Sequence, residues 1–321
     1  MEAVVVGGPE TPLVIGDVPD PEIGETDVLI EVKAAGLNRA DLMQRAGSYP
    51  PPRGVTEILG LEVAGVVAAV GPQVDEWAPG DRVCALLGGG GYAEQGVADA
   101  GSVFPMPDHM DFPDAACLPE AMMTVWANVF MRSAFSPGES VLIHGGTSGI
   151  GVMAIQMARV AGAGTIFATA GSDDKTTVCL ELGATHAINY RTRDFVEIVK
   201  TNGGADVILD MVGGDYVQRN IEVANLNGRI CNIAYQNGFE AMVNFGSVLM
   251  KRLVLTATTL RARTAAEKRA IRDAVRDKFW DDVANGTIRP VLDTTFPMDQ
   301  AEQAHERLAA GGHIGKIVLT R

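Results

Sequence analysis

Midway along the chain the apolar run Ser140–His144 leads into His144-Gly145-Gly146-Thr147-Ser148-Gly149-Ile150-Gly151, and an apolar helical stretch then runs through Ala161. A strand, a glycine turn and a helix start in that order make a phosphate site, because the free N–H groups of the first helical turn and the positive end of the helix dipole both face the anion. In a GxGxxG template Gly146 and Gly151 fit, and Ser148 stands where the second glycine lets backbone approach a pyrophosphate. Serine is small enough to preserve that approach. A lone motif of this kind would be read as a glycine turn without a ligand. Here it opens a series of strand-helix units, with candidate strands at Ser140–His144, Thr165–Ala170, Ala187–Tyr190, Asp206–Asp210 and Arg229–Ala234, the texture of a parallel sheet.

The first 120 residues read differently. Short β-like runs (Ala3–Val6, Val28–Ala34, Gly65–Val70, Arg82–Leu86, Tyr92–Val97) alternate with Pro/Gly/Asp clusters. The tail has an amphipathic helix near Ala265–Asn285, a strand near Arg289–Phe296, a helix near Asp299–Ala310 and a final strand near Lys316–Thr320. The expected fold is α/β, a Rossmann-type doubly wound parallel sheet at 122–261, with a β-rich, barrel-like part at 1–121 and a tail at 262–321 that returns to strands.

Composition narrows the partners. Apolar residues make up 47% and charged residues 21%, enough for large cores. Lys+Arg 26 against Asp+Glu 40 gives a net charge of −14, which repels phosphate backbones and excludes nucleic acid in the absence of a basic patch. The four cysteines, Cys84, Cys117, Cys179 and Cys231, form no CxxC pair, so neither a disulfide framework nor a zinc ribbon is expected. The opening MEAVVVGGPE has no basic stretch followed by an apolar one, and no run of about 18 apolar residues follows. We expect a cytoplasmic chain that does not enter membranes.

The glycine turn also matches the GxxxGIG loop of short-chain dehydrogenases. Those enzymes need Tyr-x-x-x-Lys, and none of Tyr49, Tyr92, Tyr190, Tyr216 or Tyr235 has a lysine four residues on. The order of β-rich half, Rossmann-type half and returning strands resembles the medium-chain dehydrogenase/reductase superfamily over essentially the whole chain. Its zinc-dependent alcohol dehydrogenases carry a Gly-His-Glu segment with a metal ligand. The matching segment here is Gly60-Leu61-Glu62, and leucine cannot bind zinc. The segments Asn38–Tyr49, LGLEVAG, ALLGGGGYAEQ, LPEAMMT, HGGTSGIG and IGKIVL resemble the zinc-free quinone oxidoreductases, closest to their tumour-suppressor-inducible group and its bacterial relatives.

The resemblance implies a GroES-like first domain, no metal, and NADPH-dependent reduction of a quinone or another electron-poor alkene or enone. The cofactor carries the hydride chemistry and the protein supplies position. Carried over to this chain, Asn38 and Thr124 contact the nicotinamide end, and Tyr49 and Ser148 approach the quinone. Each also has a plain structural reading: turn residue for Asn38, helix cap for Thr124, packing in the Pro50-Pro51-Pro52 turn for Tyr49, phosphate binding alone for Ser148. The cofactor set comprises Gly146, Thr147, Ser148, Gly149, Ile150, Gly151, Gly171, Ser172, Lys175, Tyr190, Ala234, Tyr235 and Lys316. An NAD enzyme places an acidic residue about 20 residues past the glycines for the ribose 2′-OH. Here Ala170, Gly171 and Ser172 stand there. A 2′-phosphate then has room, with Lys175, Tyr190 and Arg191 around it. Asp173 and Asp174 argue the other way unless they face solvent.

His144, His186, His305 and His313 lie too far apart to be ligands and read as core or surface histidines. His109 and the Asp281-Asp282 pair read as solvated, and Cys84 and Cys117 as buried apolar residues. Two other functions share the fold: an enoyl-thioester reductase, and a non-catalytic NADPH-binding protein. The apolar run Leu253–Thr258 would form an unpaired sheet edge, and the resemblance implies a homodimer joined through it.

Overall fold

The computed structural model describes residues 1–8 and 11–321 and divides into two compact units, Met1–Met123 with Arg261–Arg321, and Thr124–Leu260.

The first unit is built on the ten-residue strand Asp27–Gly36, whose alternating apolar residues Val28, Ile30 and Val32 are buried in its core. A seven-stranded sheet runs Leu292–Pro297, Lys316–Thr320, Asp27–Gly36, Glu62–Val70, Arg82–Leu86, Val103–Pro105, with Gln95–Asp99 also paired to Asp27–Gly36. Only the first two neighbours are parallel. Register shifts at Leu29/Ile30 and Val32/Ala34 bend the central strand, as bulges do in closing sheets. A separate hairpin-like pair joins Glu2–Val5 to Val14–Asp17. Because Lys316–Thr320 pairs with Asp27–Gly36, and the Leu37 N–H donates to the Ile317 carbonyl, the chain's end returns Lys316 to the turn at Leu37 and Asn38.

The second unit is a six-stranded parallel sheet in the spatial order His186–Asn189, Thr165–Ala170, Ser140–Ile143, Ala205–Asp210, Ala224–Asn232, Val254–Ala257. In chain order this is 3-2-1-4-5-6, the Rossmann arrangement, whose ligand crevice lies at the carboxyl ends of the strands where the order reverses. Leu142, Phe167, Ile188, Ile208 and Ile230, one from each strand but Val254–Ala257, share a core with Phe195 and Ile221 of the covering helices.

Several expectations are corrected. The strand expected at Tyr92–Val97 begins at Gln95, because the Tyr92 N–H donates to the Leu59 carbonyl and its own carbonyl accepts from Val4. The helix expected to start at Asp299 begins with a short 3-10 turn, Met298–Gln300, before Ala301–Ala310. Residues Trp126–Arg132 form a π-helical segment, with the Ser133 N–H reaching back five residues to Asn128. Among the described residues no helix is long and apolar enough to cross a membrane.

Candidate functional site

The glycine turn is shaped by close backbone approaches. Gly145 has φ +67, and a Cβ on it would meet the Met211 sulfur at 2.6 Å. A Cβ on Gly151 would lie 2.1 Å from the Gly145 carbonyl oxygen, and one on Gly146 2.8 Å from Cys179 Sγ. Glycine is therefore required at the turn and where the helix Gly149–Val160 meets it. Ser148 is the helix N-cap, and its Oγ accepts from the Gly151 N–H at 3.0 Å. The N–H groups of Gly149 and Ile150 begin the helix and have no partner in a preceding turn. A dinucleotide pyrophosphate fits this cradle, with Ser148 contributing a cap and Thr147, 5% exposed, lining the turn.

At the end of the strand Thr165–Ala170, Tyr190 and Arg191 lie beside Gly171. A Cβ on Gly171 would meet the Tyr190 hydroxyl at 2.8 Å and Arg191 Nε at 3.6 Å. Ser172 caps the helix Asp173–Glu181 by accepting from the Lys175 N–H at 3.3 Å. Lys175 is half-buried, whereas Asp173 and Asp174 are exposed. Asp173 is moreover engaged by the Asn189 amide at 2.8 Å.

Beneath the turn lies a buried polar chain that sequence patterning does not reveal. Asp210 accepts from the Val212 and Gly213 N–H groups at 2.7 and 3.3 Å, and from the Asn220 and Asn232 amides at 3.0 and 2.8 Å. Asn220 Oδ1 faces His144 Nε2 at 2.7 Å, and His144 Nδ1 faces the Thr169 hydroxyl at 3.1 Å. Burial pushes the His144 imidazole below its usual range, so the ring is neutral, donating to Asn220 and accepting from Thr169. His144 is a satisfied core histidine that braces the turn. Asp210 fixes the Met211–Gly213 loop, and a Cβ on Gly213 would strike the Tyr235 ring at 2.6 Å. Ala234 and Tyr235 thus sit beside that loop. Thr124 is 7% exposed, and its carbonyl accepts from Asn128 at 2.7 Å.

In the first unit Asn38, Lys316 and Glu62 form one buried cluster. The Lys316 ammonium donates to the Leu37 carbonyl and to Asn38 Oδ1, both at 2.7 Å, and pairs with Glu62 at 2.5 Å. Asn38 Nδ2 donates to Glu62 at 3.0 Å, and the other Glu62 oxygen accepts from the Glu120 N–H at 2.9 Å. The ammonium's three donors are taken inside the unit, so Lys316 holds the Asn38 turn. Asp41 accepts from the Asn38 and Gly60 N–H groups and from the Tyr92 hydroxyl. Its carboxyl is pushed up to about 6 by burial. Among the described residues no group of three or more His, Cys, Asp or Glu side chains is placed to hold a metal ion.

Tyr49 is half-buried at the end of the turn after Arg39–Arg45. The Arg261 guanidinium lies over its ring, 5.5 Å from the centroid. Sequence reasoning did not single out Arg261; it belongs to no motif, and only the tertiary fold carries it to Tyr49. Burial pushes the Tyr49 phenol up, and Arg261 opposes that shift.

Two family models match: the alcohol dehydrogenase GroES-like domain over residues 24–108 and the zinc-binding dehydrogenase over 182–319. The quinone oxidoreductase of Lama guanicoe is 31% identical, covering 98% of this chain and 94% of that protein. Three solved structures superpose closely. An NAD-dependent alcohol dehydrogenase has a TM-score of 0.86 at 32% identity and full coverage of both chains. The CurK enoyl reductase has 0.86 at 27%, covering 99% of this chain and 98% of that one. The Escherichia coli quinone oxidoreductase complexed with NADPH has 0.83 at 28%, covering 100% and 99%.

Proposed function

Because the chain belongs to the medium-chain dehydrogenase/reductase superfamily, as an oxidoreductase of pyridine nucleotides akin to the quinone oxidoreductases, we propose that it is an NADPH-dependent, zinc-independent reductase of quinones and related electron-poor enones. When bound, the nicotinamide supplies a hydride and the acceptor takes it. The observation that carries the reading is the pairing of the glycine cradle at Gly145–Gly151 with a second-strand end that lacks a carboxylate. Ala170, Gly171 and Ser172 leave room for a 2′-phosphate. Lys175 and the Tyr190 hydroxyl supply a charge and a donor for it, while Asn189 holds Asp173.

The chain's own residues bind and orient. Gly149 and Ile150 present N–H groups to the pyrophosphate. The His144–Asn220–Asp210 chain keeps the turn and the Met211–Gly213 loop in register. In the first unit Lys316 and Glu62 fix Asn38, and Tyr49 offers a flat aromatic face to an acceptor. In this reading solvent supplies the proton. The decisive assay follows NADPH oxidation with ortho-quinones, simple enones and enoyl thioesters as acceptors. Turnover with quinones or enones supports the reading. Turnover with enoyl thioesters alone would replace it by a thioester reductase, as the likeness to the CurK enoyl reductase would then suggest, and no turnover would leave a non-catalytic nucleotide-binding protein.

The same reading includes a homodimer. Among the described residues the edge strand Val254–Ala257 pairs on one side only, and Val254 and Leu255 are 49% and 38% exposed. Phe239, Met242, Phe245, Leu249 and Met250 of the same unit are between 68% and 92% exposed. An apolar surface of this kind beside an open edge is normally covered by a partner. Light scattering at micromolar concentration tests this, and a monomer mass would refute it. The four free, buried thiols fit a reducing cytoplasm.

A further inference from the structure

Arg261 is 7% exposed, yet among the described residues only its Nε has a hydrogen-bond partner, donating to the Gly88 carbonyl at 2.7 Å. Both Nη1 and Nη2 are buried without a hydrogen-bond acceptor. A guanidinium left in this condition is costly, since an unmet charged donor forfeits its hydration without replacement. Among the described residues no carboxylate forms an ion pair with it. Asp41 acts on it only at a distance, its oxygens being taken by Asn38, Gly60 and Tyr92. Lys268 adds a second positive charge nearby. The guanidinium lies over the Tyr49 ring, and its seat is prepared by glycine. A Cβ on Gly89 would stand 3.4 Å from Arg261 Nη2 and 3.0 Å from the Thr56 carbonyl oxygen. Gly90 and Gly91 donate to Ile58 and Gly60, so the glycine run Gly88–Gly91 is pinned beneath the arginine.

We infer that Arg261, backed by Tyr49, is the receptor for the carbonyl oxygen of the acceptor, and that its free guanidinium nitrogens stabilise the negative charge this oxygen acquires during reduction. The inference rests on the proposed reductase reading and names the substrate feature it requires, an alkene conjugated to a carbonyl. With the dihydronicotinamide as reductant, the hydride adds to the alkene carbon remote from the carbonyl. The π pair moves to form an enolate or phenolate oxygen, and a solvent proton then completes the two-electron reduction. Charge thus appears on the oxygen only as the reaction proceeds. Preorganised donors in a site poor in water favour that state over the neutral ground state. Tyr49 supplies the flat surface on which a quinone ring stacks.

The test uses 4-nitrophenol, whose ionisation changes its absorbance, with 4-nitroanisole as its neutral isostere, on the full-length protein without nucleotide. The wild type is expected to bind 4-nitrophenolate about tenfold or more tightly than 4-nitroanisole, as a charge-assisted contact provides, and to pull the phenol's ionisation to lower pH. Arg261→Met is expected to lose that preference and the shift while retaining 4-nitroanisole binding, and Tyr49→Phe to retain both. Equal affinity of the wild type for the two probes overturns the inference, whether or not Arg261→Met folds. So does a full preference for phenolate in a folded Arg261→Met protein. Failure of the wild type to oxidise NADPH, with phenolate selectivity intact, would sink the proposed reaction and leave this site standing.

Discussion

Lys316 and Glu62 form an ion pair at 2.5 Å inside the first unit, with side chains 5% and 0% exposed. Glu62 is the acidic residue of the segment that matches the metal-binding Gly-His-Glu of zinc dehydrogenases, and here it already holds a cation of the chain's own. Its oxygens are further taken by Asn38 and the Glu120 N–H, and Leu61 beside it offers no lone pair. Elemental analysis of the purified protein should therefore find no stoichiometric zinc, and chelators should leave activity unchanged. About one zinc per chain, with activity lost on chelation, would contradict this.

Acid stability should depend on His305. Both its ring nitrogens are buried without partners, and its imidazole is pushed down to about 4, chiefly by burial and then by Arg45, against Glu302. A folded-state value below the unfolded one means that protonation favours the unfolded chain. Stability is lost as pH falls from about 6.5 toward 4, by about 3 kcal/mol at ~1.4 kcal/mol per unit. Asp41, whose value is raised to about 6, acts with the opposite sign, since stability is lost as pH rises through its window. It is common to wild type and variant and cancels in their difference. His305→Leu should flatten the acid limb relative to wild type in denaturant titrations at several pH values. Parallel limbs would show that His305 is not the cause.

Much of this was legible in the sequence because it is periodic. Thr165–Ala170, Arg82–Leu86 and Lys316–Thr320 were expected at the bounds observed, and the helix Ala265–Ala284 ends one residue short of expectation. Short elements escaped. Val14–Asp17 is four residues including a glycine, and Arg39–Arg45 is a two-turn helix closed by its Asp41 cap, too brief for a 3.6-residue pattern to register. The π-helical Trp126–Arg132 has no sequence signature of its own. At the site, the glycine cradle was readable from spacing. The buried pairings were not: Lys316 to Asn38, His144 to Asn220 and Arg261 to Tyr49 join residues far apart in the chain, and nothing local marks them.

Cofactor choice should hinge on Lys175. Its position on the first turn of Asp173–Glu181, whose cap is Ser172, suits a 2′-phosphate. A charge-assisted contact of about 1.5–3 kcal/mol corresponds to roughly 10- to 150-fold in affinity. Lys175→Ala should weaken NADPH binding at least tenfold by titration and leave NADH nearly unchanged. Equal losses for both, or a wild type that prefers NADH, would place the phosphate elsewhere.

The central claim is metal-free hydride delivery from a reduced nicotinamide to a carbon conjugated with a carbonyl. Its most direct measurement is the fate of the label when NADPH carrying deuterium at both C4 positions reduces a cyclic enone in chelator-treated buffer. The expected product carries one deuterium at the carbon remote from the carbonyl, and a solvent proton beside it. A reduced product without deuterium at that carbon, or reduction that needs added metal, would contradict the account.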